Sequence, residues 1–168
     1  MKKKIKHRTN GAAGALLDEY EKAIDELILT INELTQDELV LIADHETDDE
    51  DCRSIQTILT HLVQSGYTYV IEIRKWLREE IDYRAKETLN SPKEYQLALI
   101  KMFNYTEALF INYPDLKLTE LDTQRKIKVR WGQTFDIEQL IQHAIVHILR
   151  HRRQIEIFRL QYARVKSK

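Results

Sequence analysis

Apolar residues recur every three or four positions in four segments of the chain, the spacing that places them on one face of a helix. The segments cover about residues 12–34, 54–83, 91–113 and 137–162. Ser54 and Ser91 are predicted N-caps, Pro92 suits a first helical position, and Pro114 is expected to end the third helix. Because each helix has one apolar stripe to bury, the pattern predicts an all-α fold, a four-helix bundle.

The third and fourth helices are separated by a long connection, Asp115–Thr134, which indicates a topology other than a plain series of hairpins. Within it, Arg125–Trp131 alternates charged and apolar residues as a strand does, and Gly132 is expected to form a turn. A single short strand has little to pair with, so we expect an extended loop over one end of the bundle. Thr134 or Asp136 is expected to cap the fourth helix.

The connection between the first two helices is less regular. Leu39–Ile42 is a short apolar run that fits a strand, an extended loop or a last helical turn, whereas Asp44–Asp51 is acidic and suits an exposed loop. His45 lies among these carboxylates, where we expect an incidental surface cluster rather than a second metal site. The acidic surroundings of Cys52 should raise its thiol pKa, which makes this residue a poor nucleophile.

Length and composition fit a single domain spanning 1–168. The 168 residues include only 4 Gly and 2 Pro, which favours long helices. With 26 basic and 27 acidic residues the formal net charge is −1, so no nucleic-acid partner is expected. Residues 1–10 and 164–168 are expected to be flexible, with the basic start Met1–Arg8 forming a solvated arm.

Cysteine content and hydropathy indicate the cellular compartment in which the protein is expected. Cys52 is the one cysteine, which excludes an intrachain disulfide and a zinc site built from several thiolates. A reducing, cytoplasmic compartment is therefore expected. We expect neither a signal peptide nor a membrane partner, since no apolar run reaches the required length.

Three of the six histidines follow one another at intervals of four residues in the predicted fourth helix: His143, His147 and His151. Side chains four residues apart share a helical face, so a neighbouring pair can bind one metal ion. A helical wheel places His151 about 50°, His147 about 90° and His143 about 130° from the centre of the apolar face. The wheel therefore favours His147 and His151 as the pair.

A catalytic zinc site needs a third protein ligand, and His61 is the other histidine inside a predicted helix. It lies about 120–130° from the apolar centre of the second helix, so the wheel permits it as a ligand without requiring it. Gln64 and Gln154 are candidates to accept the ring N–H groups of ligating histidines. Arg152 is expected on a solvated helix face rather than on a substrate carboxylate.

Two segments of the chain resemble the DinB superfamily of metal-binding helical proteins. One is Ile58–Ser65, which contains His61; the other is His143–Ile155, where the family commonly shows His-x-x-x-His followed by Arg-Gly-Gln-Ile. The helix order and the long third connection also agree. Arg153 stands where the family usually has Gly, a departure that bears on packing near Gln154.

The resemblance implies a four-helix bundle whose metal ligands are His61, His147 and His151, and it implies a homodimer. It also implies a divalent ion, for which zinc is the default at histidine sites and nickel or iron are alternatives. Characterised members include transferases and isomerases that use low-molecular-weight thiols such as mycothiol or bacillithiol, while many others have no known activity. A thiol cofactor and a small-molecule substrate of unknown identity are the corresponding expectations.

Three neutral imidazoles would leave an open coordination position and the full charge of the ion, which activates a thiol or a water molecule. The predicted function is therefore a metal-dependent enzyme of the thiol transferase or hydrolase type, with no catalytic residue assigned. The alternative is a non-catalytic metal-binding or stress-response interaction protein of the same fold. A weaker third hypothesis is a dimeric helical bundle without metal.

Overall fold

The computed structural model describes residues 7–166, and this part of the chain is mostly helical. It contains five α-helices, one 3₁₀ turn and two short strands. In chain order they are α1 (Gly11–Ile31), α2 (Gln36–Val40), the 3₁₀ turn Glu50–Cys52, α3 (Ile55–Trp76), α4 (Pro92–Asn112), β1 (Ile127–Lys128), β2 (Thr134–Phe135) and α5 (Ile137–Lys166). The mostly helical architecture predicted from the apolar spacing is confirmed.

Each of the four long helices packs against two others. α1 packs on α4 and α5, and α3 packs on the same two helices. The side chains between them are apolar and fully buried, as at Leu27, Ile58, Leu99 and Ile148. No helix among residues 7–166 has the length and apolarity that crossing a membrane requires.

The start of α3 is fixed by a reciprocal cap at the predicted residue. Ser54 Oγ accepts a hydrogen bond from Thr57 N at 3.1 Å, and Thr57 Oγ1 accepts one from Ser54 N at 3.0 Å. Two backbone donors that the helix itself cannot pair are thereby satisfied. Ser91 caps α4 through its Oγ, which accepts a hydrogen bond from Glu94 N, without the reciprocal bond found at α3.

The end of α3 differs from the prediction, which extended this helix to Tyr83. The helix ends at Trp76, and Arg78 adopts a left-handed conformation with φ 70°. Arg78 N donates to Lys75 O and the next amide, of Glu79, donates back to Arg74, each at 3.0 Å. This pair of hydrogen bonds defines a Schellman C-cap, which normally contains glycine. The helical spacing of apolar residues continues beyond Trp76, so it does not indicate where the helix ends.

The long third connection forms a hairpin, so the expectation of an unpaired extended loop was wrong. β1 pairs antiparallel with β2, with Ile127 opposite Phe135. Gly132 forms the predicted turn with φ 90°. Ile127 and Val129 are buried, which explains the alternation of charged and apolar residues.

The residue that caps α5 is Asp136, whereas Thr134 belongs to β2. Asp136 Oδ1 accepts from Gln139 N at 2.8 Å, and Gln139 Oε1 accepts from Asp136 N at 3.0 Å. Of the three conformations open for Leu39–Ile42, the structure has the last turn of α2 to Val40, followed by extended backbone. Ile42 forms an isolated bridge with Ser54.

Of the two described residues of the predicted solvated arm, His7 is exposed, whereas Arg8 is held against the helices. Arg8 Nη1 lies 2.7 Å from Asp18 Oδ1, Arg8 Nε donates to Glu107 Oε1 at 2.9 Å, and the guanidinium lies 5.5 Å from the centroid of the Phe103 ring. Arg8 therefore links the chain start to α1 and α4. The rest of the predicted arm, residues 1–6, lies outside the described residues, as do 167–168 at the other end, where α5 continues to Lys166.

Candidate metal centre

Three histidines from two helices meet at the seam between α3 and α5. His61 Nε2 lies 3.0 Å from His147 Nε2, and His147 Nε2 lies 3.1 Å from His151 Nε2. The ligand atoms of all three lie within 4.8 Å of one another. They therefore face a common point, and the three side chains lie close enough together to hold one ion.

The other ring nitrogen of His61 faces a carboxylate. His61 Nδ1 lies 3.1 Å from Asp51 Oδ2, and Asp51 belongs to the 3₁₀ turn that precedes α3. The second oxygen, Asp51 Oδ1, pairs with the Lys86 ammonium. A carboxylate oxygen accepts a hydrogen bond, so Nδ1 of His61 is the ring nitrogen that carries the proton.

The other ring nitrogen of His151 faces an amide whose orientation is fixed. His151 Nδ1 lies 3.0 Å from Gln154 Oε1, and Gln154 Nε2 donates to the carbonyl oxygen of Cys52 at 3.4 Å. Because the NH₂ end of Gln154 points to that carbonyl, its oxygen must face the imidazole. The proton of His151 therefore also resides on Nδ1.

These two assignments leave unprotonated nitrogens pointing at His147 from both sides. A single proton on His147 Nε2 could form a hydrogen bond with only one of these two nitrogens. A cation at the common point can instead accept the lone pairs of all three Nε2 atoms. Two nitrogens bound tetrahedrally at zinc distances stand about 3.3 Å apart, close to the 3.0 and 3.1 Å observed. The residues present therefore fit a divalent ion.

Burial favours the uncharged form of His147 and His151. His151 is only 2% exposed, and burial lowers its pKa below the ordinary value. Burial also lowers the pKa of His147 to about 3, with a further contribution from the neighbouring His151 and His61. Neutral imidazole is the form that binds metal, so no proton has to be removed from His147 near neutral pH.

His143 stands outside this cluster. Its ring stacks on that of His147 with centroids 6.2 Å apart, and it contacts Tyr69 and Phe135 at 5.4 and 5.5 Å. Trp131, from the hairpin, lies 5.7 Å from Tyr69. The result is an aromatic cluster beside His147 rather than a fourth ligand, in line with the wheel that favoured the later pair.

The other sequence candidates fall into three groups. Gln154 has the predicted contact with a histidine ring nitrogen, but Gln64 does not, since it lines a separate cleft. Arg152 is not a freely solvated side chain, because it pairs with Glu26 of α1 and with Glu156. His45 is exposed, as expected for a surface residue.

Cys52 has the predicted direction of pKa shift, with a different main cause. The thiol is buried, and burial raises its pKa more than the carboxylate of Asp49, which accepts from the sulfur at 3.4 Å. Cys52 also contributes to the centre through its backbone, because its carbonyl orients Gln154.

Sequence reasoning missed Asp51 and Lys86. The sequence predicts Asp51 in an exposed acidic loop, and Lys86 lies beyond the predicted end of α3. One feature of the sequence could have pointed to Asp51: it lies three residues before the predicted cap Ser54 and ten before His61. A carboxylate at the start of a helix can reach a side chain less than two turns along it.

No protein-family model matches this chain, and no curated protein is detectably similar to it. The geometry of the three histidines and their partners is therefore the basis of the functional argument.

Proposed function

We propose that the chain is a DinB-like four-helix-bundle protein that binds one divalent metal ion through His61, His147 and His151. The observation that carries this proposal is the convergence of three Nε2 atoms while the Nδ1 atoms of His61 and His151 are held outward by Asp51 and Gln154. Outer partners of this kind are typical of histidines that ligate metal.

Zinc is the ion that this donor set favours, because it accepts imidazole nitrogens in tetrahedral geometry. Nickel and iron also bind imidazole, so the identity of the ion is a question for metal analysis. All three ligands are neutral, and the charge of the ion is therefore not reduced by its ligands.

The proposed activity is that of a metal-dependent enzyme, a thiol transferase or a hydrolase. The bound ion would supply Lewis acidity, which activates a thiol or a water molecule near neutral pH. Asp51 and Gln154 orient His61 and His151, and the Lys86 ammonium pairs with Asp51. The side chain of His61 is 28% exposed, so the centre lies near the surface, as access by a small substrate requires.

A non-catalytic metal-binding role is the second candidate, and Asp49 is the observation that favours it. Asp49 Oδ1 accepts a hydrogen bond from the backbone N–H of Asp51 at 3.0 Å, and Asp51 contacts His61. The Asp49 carboxylate, which is linked to His61 through Asp51, could turn towards the ion and close the fourth position. A closed four-ligand site is structural rather than catalytic.

Metal content and Co²⁺ titration of purified protein test the proposal. Wild type should hold one ion per chain, and His61→Ala, His147→Ala and His151→Ala should each weaken Co²⁺ binding by at least about 100-fold, more than the loss typical of outer partners. His143→Ala and His45→Ala are matched controls that should bind as wild type does. Equal binding by all five variants would exclude the proposed centre.

The visible spectrum of the Co²⁺ form separates the two roles. If the fourth position is open, adding a small thiol such as 2-mercaptoethanol should change the spectrum of the wild type. If Asp49 closes it, the thiol should act only on Asp49→Ala. The first result supports the enzyme, and the second supports the structural role.

A further inference from the structure

A second candidate site lies beside the histidine cluster, in a cleft of about 330 Å³ between α3, α4 and the connection formed by residues 77–91. This volume is at the lower end of the range for small-molecule sites, roughly 300–1,000 Å³. Thr60 and Gln64 line the cleft and stand one and three residues from His61 along α3. The cleft and the metal centre therefore share one turn of helix but not the same residues.

Arg84 presents an oriented cation to this cleft. Its guanidinium carbon lies 3.8 Å from the centroid of the Tyr67 ring and 5.6 Å from that of Tyr105. Stacking on an aromatic face fixes the plane of a guanidinium and leaves its N–H edge free. Among residues 7–166, no carboxylate forms an ion pair with Arg84, in contrast to Arg8, Arg74 and Arg152.

Neither carboxylate that lines the cleft, Glu87 or Glu94, forms an ion pair with Arg84 among the described residues. Glu94 Oε2 already accepts from Asn90 N at 2.9 Å and from Ser91 Oγ at 3.0 Å, as part of the cap of α4. Glu87 is exposed at the wall, and Lys101 supplies a second cation. The free edge of the Arg84 guanidinium is therefore matched to a planar anion from outside the chain.

The rest of the lining is apolar. Val63 and Leu89 are half-buried, and Leu97 lines the cleft while 51% exposed. A ligand with a hydrocarbon body would remove this surface from water, which is favourable. A bare inorganic anion would not use it.

We propose that the cleft binds a small monocarboxylate with an apolar chain. Arg84 pairs with the carboxylate through its two-pronged N–H edge, and Val63, Leu89 and Leu97 contact the chain. This proposal does not depend on the metal centre, because no histidine lines the cleft.

Titration of full-length ¹⁵N-labelled protein with hexanoate, followed by NMR, tests the site. Millimolar hexanoate should shift the amide resonances of Gln64, Tyr67 and Leu89. Arg84→Gln should weaken this binding at least tenfold. Arg84→Lys should weaken it less, because lysine keeps the positive charge but cannot form the bidentate hydrogen bonds of a guanidinium. Arg78→Gln, an exposed arginine outside the cleft, is the control and should bind as wild type does.

Two comparison probes isolate the ligand chemistry. Hexylamine carries the same chain with the opposite charge and should leave the cleft resonances unchanged, and inorganic phosphate should bind at least tenfold more weakly than hexanoate. Glu87→Gln should tighten hexanoate binding by removing a like charge. The proposal is overturned if hexanoate shifts no cleft resonance, if Arg84→Gln binds it normally, or if hexylamine or phosphate binds equally well.

Discussion

Removing the amide of Gln154 should weaken metal binding without unfolding the protein. Gln154→Leu keeps the approximate volume of the side chain but deletes the oxygen that accepts from His151 Nδ1 and the NH₂ group that donates to Cys52 O. His151 could then rotate, or move its proton to Nε2 and lose its lone pair towards the ion. Loss of an outer partner of this kind costs about 10–100-fold in metal affinity.

The expected magnitude follows from ligand linkage. A metal ion present at 100 times its dissociation constant stabilises the wild type by about 2.7 kcal/mol. With affinity lowered 10–100-fold at the same concentration, the stabilisation falls to about 1.4 or 0.4 kcal/mol, a loss of roughly 1.3–2.3 kcal/mol. For a domain of this size each kcal/mol corresponds to about 2–4 °C, so the metal-induced rise in Tm should shrink by roughly 3–9 °C.

Differential scanning calorimetry with and without Zn²⁺ measures this difference. The comparison of interest is the metal-induced rise in Tm, because a purely structural effect of the substitution also lowers the Tm of the metal-free protein. Gln142→Leu is the matched control: it makes the same change on α5, where the exposed Gln142 pairs with Glu138 one turn away. An unchanged Zn²⁺-induced rise in Gln154→Leu would refute the positioning role.

Three further predictions concern the fold around the site. Arg78→Gly should stabilise the protein by about 0.5–1 kcal/mol, because glycine relieves the left-handed conformation at the end of α3, whereas Arg78→Ala should not; urea denaturation of both variants tests this. Gly66→Ala should destabilise by up to about 2 kcal/mol, since its Cβ would lie 1.9 Å from the sulfur of buried Met102, but in a Met102→Ala background the same change should stabilise; a double-mutant cycle in urea would show this change of sign. Cys52 should react with iodoacetamide more than about tenfold more slowly in the native protein than in urea, and faster as the pH rises, because burial and Asp49 raise the thiol pKa; alkylation rates followed by mass spectrometry provide the measurement.

The helices were predictable because their apolar stripes and caps are local properties. Ser54 and Ser91 cap α3 and α4 at the predicted residues, and Asp136 was one of the two candidates for α5. The end of α3 was not predictable, since Arg78 occupies a conformation that normally requires glycine. The pairing of β1 with β2 was missed because the partner strand is only two residues long.

The histidine cluster was predictable in part. The spacing of His147 and His151 predicts a metal-binding pair from the sequence alone, because one helix carries both. The outer partners could not be predicted in the same way. Asp51 contacts His61 and Lys86 contacts Asp51, and both residues lie in segments without regular periodicity.

The flank positions of His61 and His147 on their helices have a physical reason. A histidine at the centre of an apolar face would be buried without hydrogen-bond partners, and one facing solvent would have no second helix to meet. At the seam between α3 and α5, each ring can turn one nitrogen towards the partner helix, while His61 keeps its other nitrogen on Asp51. The flank of an apolar stripe, opposite a histidine on a neighbouring helix, is therefore a suitable position for a metal-binding histidine. There its ring has hydrogen-bond partners and remains accessible from solvent.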